Sequence, residues 1–465
     1  MTAPAPLAEK SAEPVSPARR GRRPDVIAAV AATLLVAAAA VIGTVIQNAD
    51  GTLHVAWPPL LAAWFPHAGP GTPAALAVAA GVIVYGPVLA ARLSWRTLTP
   101  VVYGASMAWI WSLALVDGWQ RGVANRLINR NEYLSAIDRF AHMGPTLRDF
   151  DQHILIGQPH NWPAHVAGHP PGATLTFVWL DRIGLGGGGW AGVWCITVGG
   201  SAAVAVLVAL RALTDERTAR RVAPFLVLAP AAVWIGTSAD GYFAAVAAWA
   251  VALLALAATR TVRAPALVAL AAGLLFGWAL YLSYGLTLFA VPALAVLLLA
   301  RTARPLAPAL AGVALVALAF TLVGFNWWEA YGLLVERYYQ GVGGDRPQSY
   351  WVWGNLACAV IITGLASVAG LRRAVASLPG AVRRWRGTRD GATDRLGVLA
   401  LAVLLALLIA DLSGMSKAET ERIWIPFALW LLPAAALLPA TDRRRWLTSQ
   451  AVLALLVNHL LLTTW

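Results

Sequence analysis

Apolar stretches recur along this chain from near one end to the other, separated mostly by short connectors rich in arginine. Runs at 26–46, 71–91, 99–117, 190–211, 223–238, 240–259, 264–282, 284–300, 305–324, 351–371, 396–412, 423–440 and 446–464 approach the length that an α-helix needs to cross a hydrocarbon core. The pattern predicts an all-α fold: a polytopic membrane helix bundle of about thirteen transmembrane helices. A further apolar run, 171–183, is short for a crossing and is closed by Gly186–Gly189, which suits a juxtamembrane or re-entrant helix. The exception to the pattern is 118–170, a long polar stretch holding Glu132, Asp138, Asp149, Asp151 and five histidines. Polar chain between spans lies in water, in an interface or in a protein-lined cavity.

Charge orients the bundle. With 171–183 not crossing, the N-terminal segment and the connectors at 92–96, 211–222, 260–263, 301–304, 372–395 and 441–445 share one face and carry 25 of the 35 Lys and Arg residues. The acidic residues run the other way, with 14 of 22 on the opposite face. Basic connectors lie in the cytoplasm, so 118–170 and the loops 47–70, 325–350 and 413–422 are expected outside, in a multi-pass plasma membrane protein. The same distribution accounts for the net charge of +13 without nucleic acid as a partner. Residues 1–25 read as a disordered cytoplasmic tail, 26–465 as a single transmembrane domain, and 118–189 as its extracytoplasmic catalytic loop. Cys195 and Cys358 fall in apolar segments and offer neither a disulfide framework nor a metal site.

Three outer loops hold the polar chemistry. In the first, Tyr133, Ile137 and Phe140 fall on one helical face with charges opposite, which suits a helix lying in the membrane interface. His165 and His169 have ligand spacing for a helix, but Pro163, Pro170 and Pro171 disfavour that helix, so no metal is assigned. The Pro170-Pro171 pair suits the first turn of the helix that follows. The second loop mixes Trp327, Trp328, Tyr338 and Tyr339 with Glu336 and Arg337, either an aromatic belt or a surface for sugar or lipid. The third reads Ser416-Lys417-Ala418-Glu419-Thr420-Glu421-Arg422. Acids suit a helix start, but two cations on a face poor in them point to a bound phosphate, which arginine grips with forked hydrogen bonds. Asp240 sits at an outer turn between two spans, and Tyr284 at the next one. Intramembrane acids are costly and usually functional, although an Asp-Gly turn also explains Asp240.

Glu132-Tyr133-Leu134, the run His165-Val166-Ala167-Gly168-His169-Pro170-Pro171-Gly172, Leu282-Ser283-Tyr284-Gly285 and Glu421-Arg422-Ile423-Trp424 together resemble the GT-C superfamily of membrane glycosyltransferases. Within it they look closest to an actinobacterial branch that includes methylthioxylose transferases, with the protein O-mannosyltransferases as a related pattern. The chain departs from the mannosyltransferase pattern at Asn131, where those enzymes carry an acid, and in its extra spans before the loop. The resemblance implies a polyprenyl-phosphate-linked sugar donor, mannose or a pentose, and an envelope glycan or glycolipid acceptor among membrane lipids. It implies Glu132 as general base in an inverting transfer, with Asp151 and Asp149 next in line. Arg422 and Lys417 would hold the donor phosphate; Tyr133, His165, His169, Asp240, Tyr284 and Glu421 would complete the donor and substrate site. No cofactor is implied with certainty; a divalent cation is compatible with the pattern. The rival reading is a lipid or small-solute transporter or flippase. Such proteins place ionisable groups at the bilayer midplane, often within internal repeats, whereas these acids cluster at an outer edge and the two halves show no repeat.

Overall fold

A computed structural model describes residues 21–387 and 390–464. The helices of ten or more residues are α1 (Arg22–Asp50), α2 (Thr72–Arg92), α3 (Trp95–Ala114), α4 (Gly172–Arg182), α5 (Gly188–Gly200), α6 (Ala202–Leu213), α7 (Glu216–Val227) and α8 (Ala239–Ala258). They continue with α9 (Pro265–Leu282), α10 (Ala290–Leu299), α11 (Leu306–Leu322), α12 (Trp327–Gln340), α13 (Gln348–Thr363), α14 (Leu365–Arg386), α15 (Ala392–Leu412) and α16 (Arg443–Leu460). Two short strands, β1 (Ala62–Trp64) and β2 (Leu461–Thr463), pair antiparallel with Ala63 opposite Leu462, and so tie the connector between α1 and α2 to the end of α16.

This is a helical membrane protein. Among the described residues, seven helices are long and apolar enough to cross a bilayer, and up to ten if each of three bent pairs is one span. The expected thirteen exceeds this because apolar runs and helices are not the same thing: proline and glycine break several runs. The run 223–238 splits into the end of α7 and the turn Ala232–Ile235, with Pro230 between them. The run 351–371 splits at Gly364, where α13 and α14 meet at a bend of 110°. Gly364 has φ +76°, and a Cβ there would run into the Gln450 side chain, so this corner requires glycine.

At the N-terminal end, α1 begins at Arg22, and its first turn holds Asp25 buried against Arg372 and Arg373, so residues 22–25 are not part of a tail. The expected disorder of residues 1–20 lies outside the described residues. The most enclosed of the candidate spans is α8, built largely of alanine, which packs against α5, α6 and α9. Small side chains let the neighbouring backbones close on it. Its first turn carries Asp240, whose carboxylate meets Arg422.

Candidate active site

The long loop folds around Trp162 and joins the core of the bundle. Trp162 is buried, donates its indole N–H to the Phe150 carbonyl at 2.8 Å, and stacks on Phe140 and Phe150. The expected amphipathic helix is a 3₁₀ helix, Tyr133–Phe140, and it packs against α4 instead of lying free in an interface. Its apolar face is the reason: Tyr133, Ala136 and Phe140 are all buried. Helix α4 is short, 11 residues, and most of it is buried. Pro170 and Pro171 stand just before its first residue, Gly172, where a Cβ would collide with the Tyr281 carbonyl. The motif glycine lets α4 approach the end of α9.

Of the loop histidines, His165 is the one that meets Glu132. The His165 N–H donates to the Asn131 carbonyl at 3.0 Å, which closes the loop's beginning onto its end. Pro163 does not prevent a helical turn at Ala164–Ala167, because it precedes the turn as its N-cap. His165 Nδ1 then lies 2.8 Å from Glu132 Oε1, with Glu132 only 2 % exposed. His165 Nε2 faces Arg422 Nη2 at 3.1 Å. Because a guanidinium can only donate, Nε2 accepts, and the proton on the ring sits on Nδ1, pointing at the carboxylate.

Arg422 is the hub. Its Nη1 donates to Asp240 Oδ2 at 2.7 Å and its Nη2 to Glu419 Oε2 at 2.9 Å. Burial acts to lower the affinity of Arg422 for its proton, but Asp240, Glu419 and Glu132 outweigh this and hold it firmly cationic. Burial likewise acts to raise the Glu419 carboxyl, and Arg422 and Arg346 hold it below its usual range. Glu419 stands between two arginines, with Arg346 Nη1 3.6 Å from its other oxygen. Ala418 and Glu419 both adopt left-handed backbone conformations, φ +67° and +60°, an uncommon and strained arrangement for two non-glycine residues.

The other expected residues divide. Tyr133 is buried beside Glu132, stacked on Phe177 and edge-on to His169. His169 donates from Nδ1 to the His165 carbonyl at 2.8 Å, and burial depresses its pKa to about 4, so it stays neutral. The Lys417 ammonium points away to the Gly343 carbonyl at 3.0 Å, and Arg346 is the cation that shares Glu419 with Arg422. Glu421 is fully buried, accepts the Leu61 N–H at 2.9 Å, and is pushed by burial to a pKa of about 7. It pins the connector between α1 and α2.

Asp149 is exposed. Asp151 belongs to a neighbouring cluster with Glu329 and Tyr284; burial, then Glu329, raises its pKa to about 7. The Tyr284 ring packs on Trp327 and Tyr331. Among the described residues no three His, Cys, Asp or Glu side chains converge as a metal site.

Sequence reading passed over Arg346 and gave Glu419 only a helix-start role. The signal that selected Arg422, a cation on a face poor in them, applies equally to Arg346. Beside Asp240 lies a cavity of about 30 Å³ that Ser283, Ser416 and Trp424 help to line. That is room for a water or two.

No family model and no curated protein matches this chain. Among solved structures, it is similar to the Archaeoglobus fulgidus oligosaccharyltransferase in complex with zinc and sulfate, at 15% identity and a TM-score of 0.44, over 78% of this chain and 51% of that one. The same enzyme tethered by a disulfide to an acceptor peptide with the NVT sequon matches at 13% identity and a TM-score of 0.41, over 74% and 49%. The chain spans about half the length of that protein.

Proposed function

We propose that this protein is a GT-C-type membrane glycosyltransferase that transfers a sugar, mannose or a pentose, from a polyprenyl-phosphate donor to an envelope glycan or glycolipid at the extracytoplasmic face. The observation that carries the reading is the continuous chain from Glu132 through His165 to Arg422, with Asp240 and Glu419 as counter-charges. It joins a buried carboxylate able to take a proton to a buried guanidinium able to receive phosphate charge. The motif resemblance supports the same reading, and the distribution of Lys and Arg supports the outer placement.

In this mechanism an acceptor hydroxyl attacks the anomeric carbon as the bond to the phosphate oxygen breaks. The hydroxyl proton goes to Glu132, and the electron pair leaves with the polyprenyl phosphate. His165 cannot be the base in this arrangement, since Nε2 faces Arg422 and Nδ1 faces Glu132. It holds the base in place. Arg422 stabilises the phosphate as charge develops on it. Glu419 marks where that phosphate docks: an anion between Arg422 and Arg346, on a strained turn, is what a phosphate displaces. The cavity of about 30 Å³ beside Asp240 is too small for a sugar.

The reading is tested by reconstituting the purified protein in liposomes with polyprenyl-phosphate-linked mannose or pentose and an envelope glycolipid, and analysing products by mass spectrometry. A glycolipid heavier by one sugar is expected. Movement of the lipid between leaflets without any transfer product contradicts the reading and identifies a flippase.

A further inference from the structure

A second concavity lies at the other end of the bundle. Gly21, at its edge, precedes the first residue of α1, whereas Leu53, just beyond the last, accepts a hydrogen bond from Arg346 in the candidate site. The 29 residues of α1 separate the two ends by about 43 Å. The cavity encloses about 600 Å³, within the size range of small-molecule sites.

Its walls carry five arginines: Arg221 from α7, Arg372, Arg373 and Arg384 from α14, and Arg443 from α16. Two carboxylates answer them. Asp25 takes Arg372 and Arg373, and Asp394 accepts from Arg384 Nε at 2.7 Å. Arg221 and Arg443 have neither a hydrogen bond nor an ion pair to any described residue, although each is partly buried and they repel one another. Orientation by basic connectors explains arginines at this end of the bundle, but such residues normally splay into water. These converge on one hollow with three positive charges in excess. Beside it, α14 leaves Val375, Leu378 and Val382 exposed, an apolar stripe suited to the boundary between headgroups and acyl chains.

We infer that this cavity is a binding site for a polyanionic phosphate, supplied either by an anionic lipid headgroup or by a soluble di- or triphosphate, with Arg221 and Arg443 as its direct partners. The guanidinium fork matches phosphate oxygens, and an occupant of two or three negative charges neutralises the excess. Such a ligand ties α7, α14 and α16 together and stabilises the fold by mass action.

The test measures thermal unfolding of the full chain, with inorganic pyrophosphate added to detergent micelles, and in phosphatidylcholine nanodiscs with and without phosphatidic acid. At least one probe is expected to raise the midpoint: pyrophosphate alone identifies a soluble phosphate, phosphatidic acid alone a headgroup, and both a site open to either. R221Q/R443Q should weaken the stabilising probe about tenfold or more. Its unliganded midpoint should match or exceed that of the unsubstituted chain, since a repulsion is removed, and R443Q alone should shift binding the same way. R263Q/R304Q removes two exposed arginines outside the cavity and should bind normally. No stabilisation by either probe, or equal loss in both double variants, overturns the inference.

Discussion

Glu132 and Arg422, one in the long loop and one near the far end of the chain, grip the two nitrogens of a single imidazole. The carboxylate oxygen is 2.8 Å from His165 Nδ1 and the guanidinium nitrogen 3.1 Å from Nε2. This geometry makes His165 a positioning residue. H165A should lower the turnover number roughly tenfold or more while leaving the KM for donor nearly unchanged, because Arg422 keeps Asp240 and Glu419. The double variant E132Q/H165A should be no slower than E132Q alone, since His165 acts through Glu132. Additive losses in steady-state kinetics would contradict this.

Glu419 competes with the donor phosphate in this account. Removing its charge in E419Q should lower the KM for a polyprenyl-phosphate donor by roughly fivefold at unchanged acceptor KM. A raised donor KM would show that Glu419 shapes the pocket instead of filling it.

Arg422 cannot be replaced by lysine. One ammonium does not reach Asp240, Glu419 and His165 with the geometry of a planar fork. R422K should weaken binding of a lipid-linked donor analogue by about tenfold or more, with little effect on acceptor binding. Equal loss of both would place the phosphate elsewhere.

Glu421 supplies a pH signature. Its carboxyl ordinarily titrates at 4.5 and is raised by burial to about 7 in the fold. Between these values the folded chain holds a proton that the unfolded chain has released, so this residue's contribution to stability is present below the lower value and is lost as pH rises through the upper one. E421Q keeps an oxygen for the Leu61 N–H and does not titrate. Its stability advantage should grow from pH 4.5 to about 7 and then level off, reaching up to about 3 kcal/mol. A pH-independent difference in unfolding midpoint would show that the carboxyl does not titrate in the fold.

Much of the bundle was legible because apolar length is a property of the chain itself. Helix breaks were not: Pro230 and Gly364 interrupt apolar runs without lowering their hydropathy. In the site, Glu132, His165, Asp240 and Arg422 could each be nominated by type and place. Their mutual geometry depends on side chains from distant segments, and no local spacing encodes it. Lys417 and Arg346 show the limit most plainly. Both are cations in connecting segments, and only packing decides that Arg346 meets Glu419 while Lys417 caps the Gly343 carbonyl.

The most direct test of the central claim is the transfer rate of E132Q, a variant that keeps an oxygen for His165 Nδ1 and removes the base. Measured in liposomes with a saturating lipid-linked donor, its rate should fall by about 10²–10⁴ with the unfolding midpoint and donor binding preserved. A near-normal rate in a folded, donor-binding E132Q would remove Glu132 as the base and leave the chain from Glu132 through His165 to Arg422 without a catalytic role.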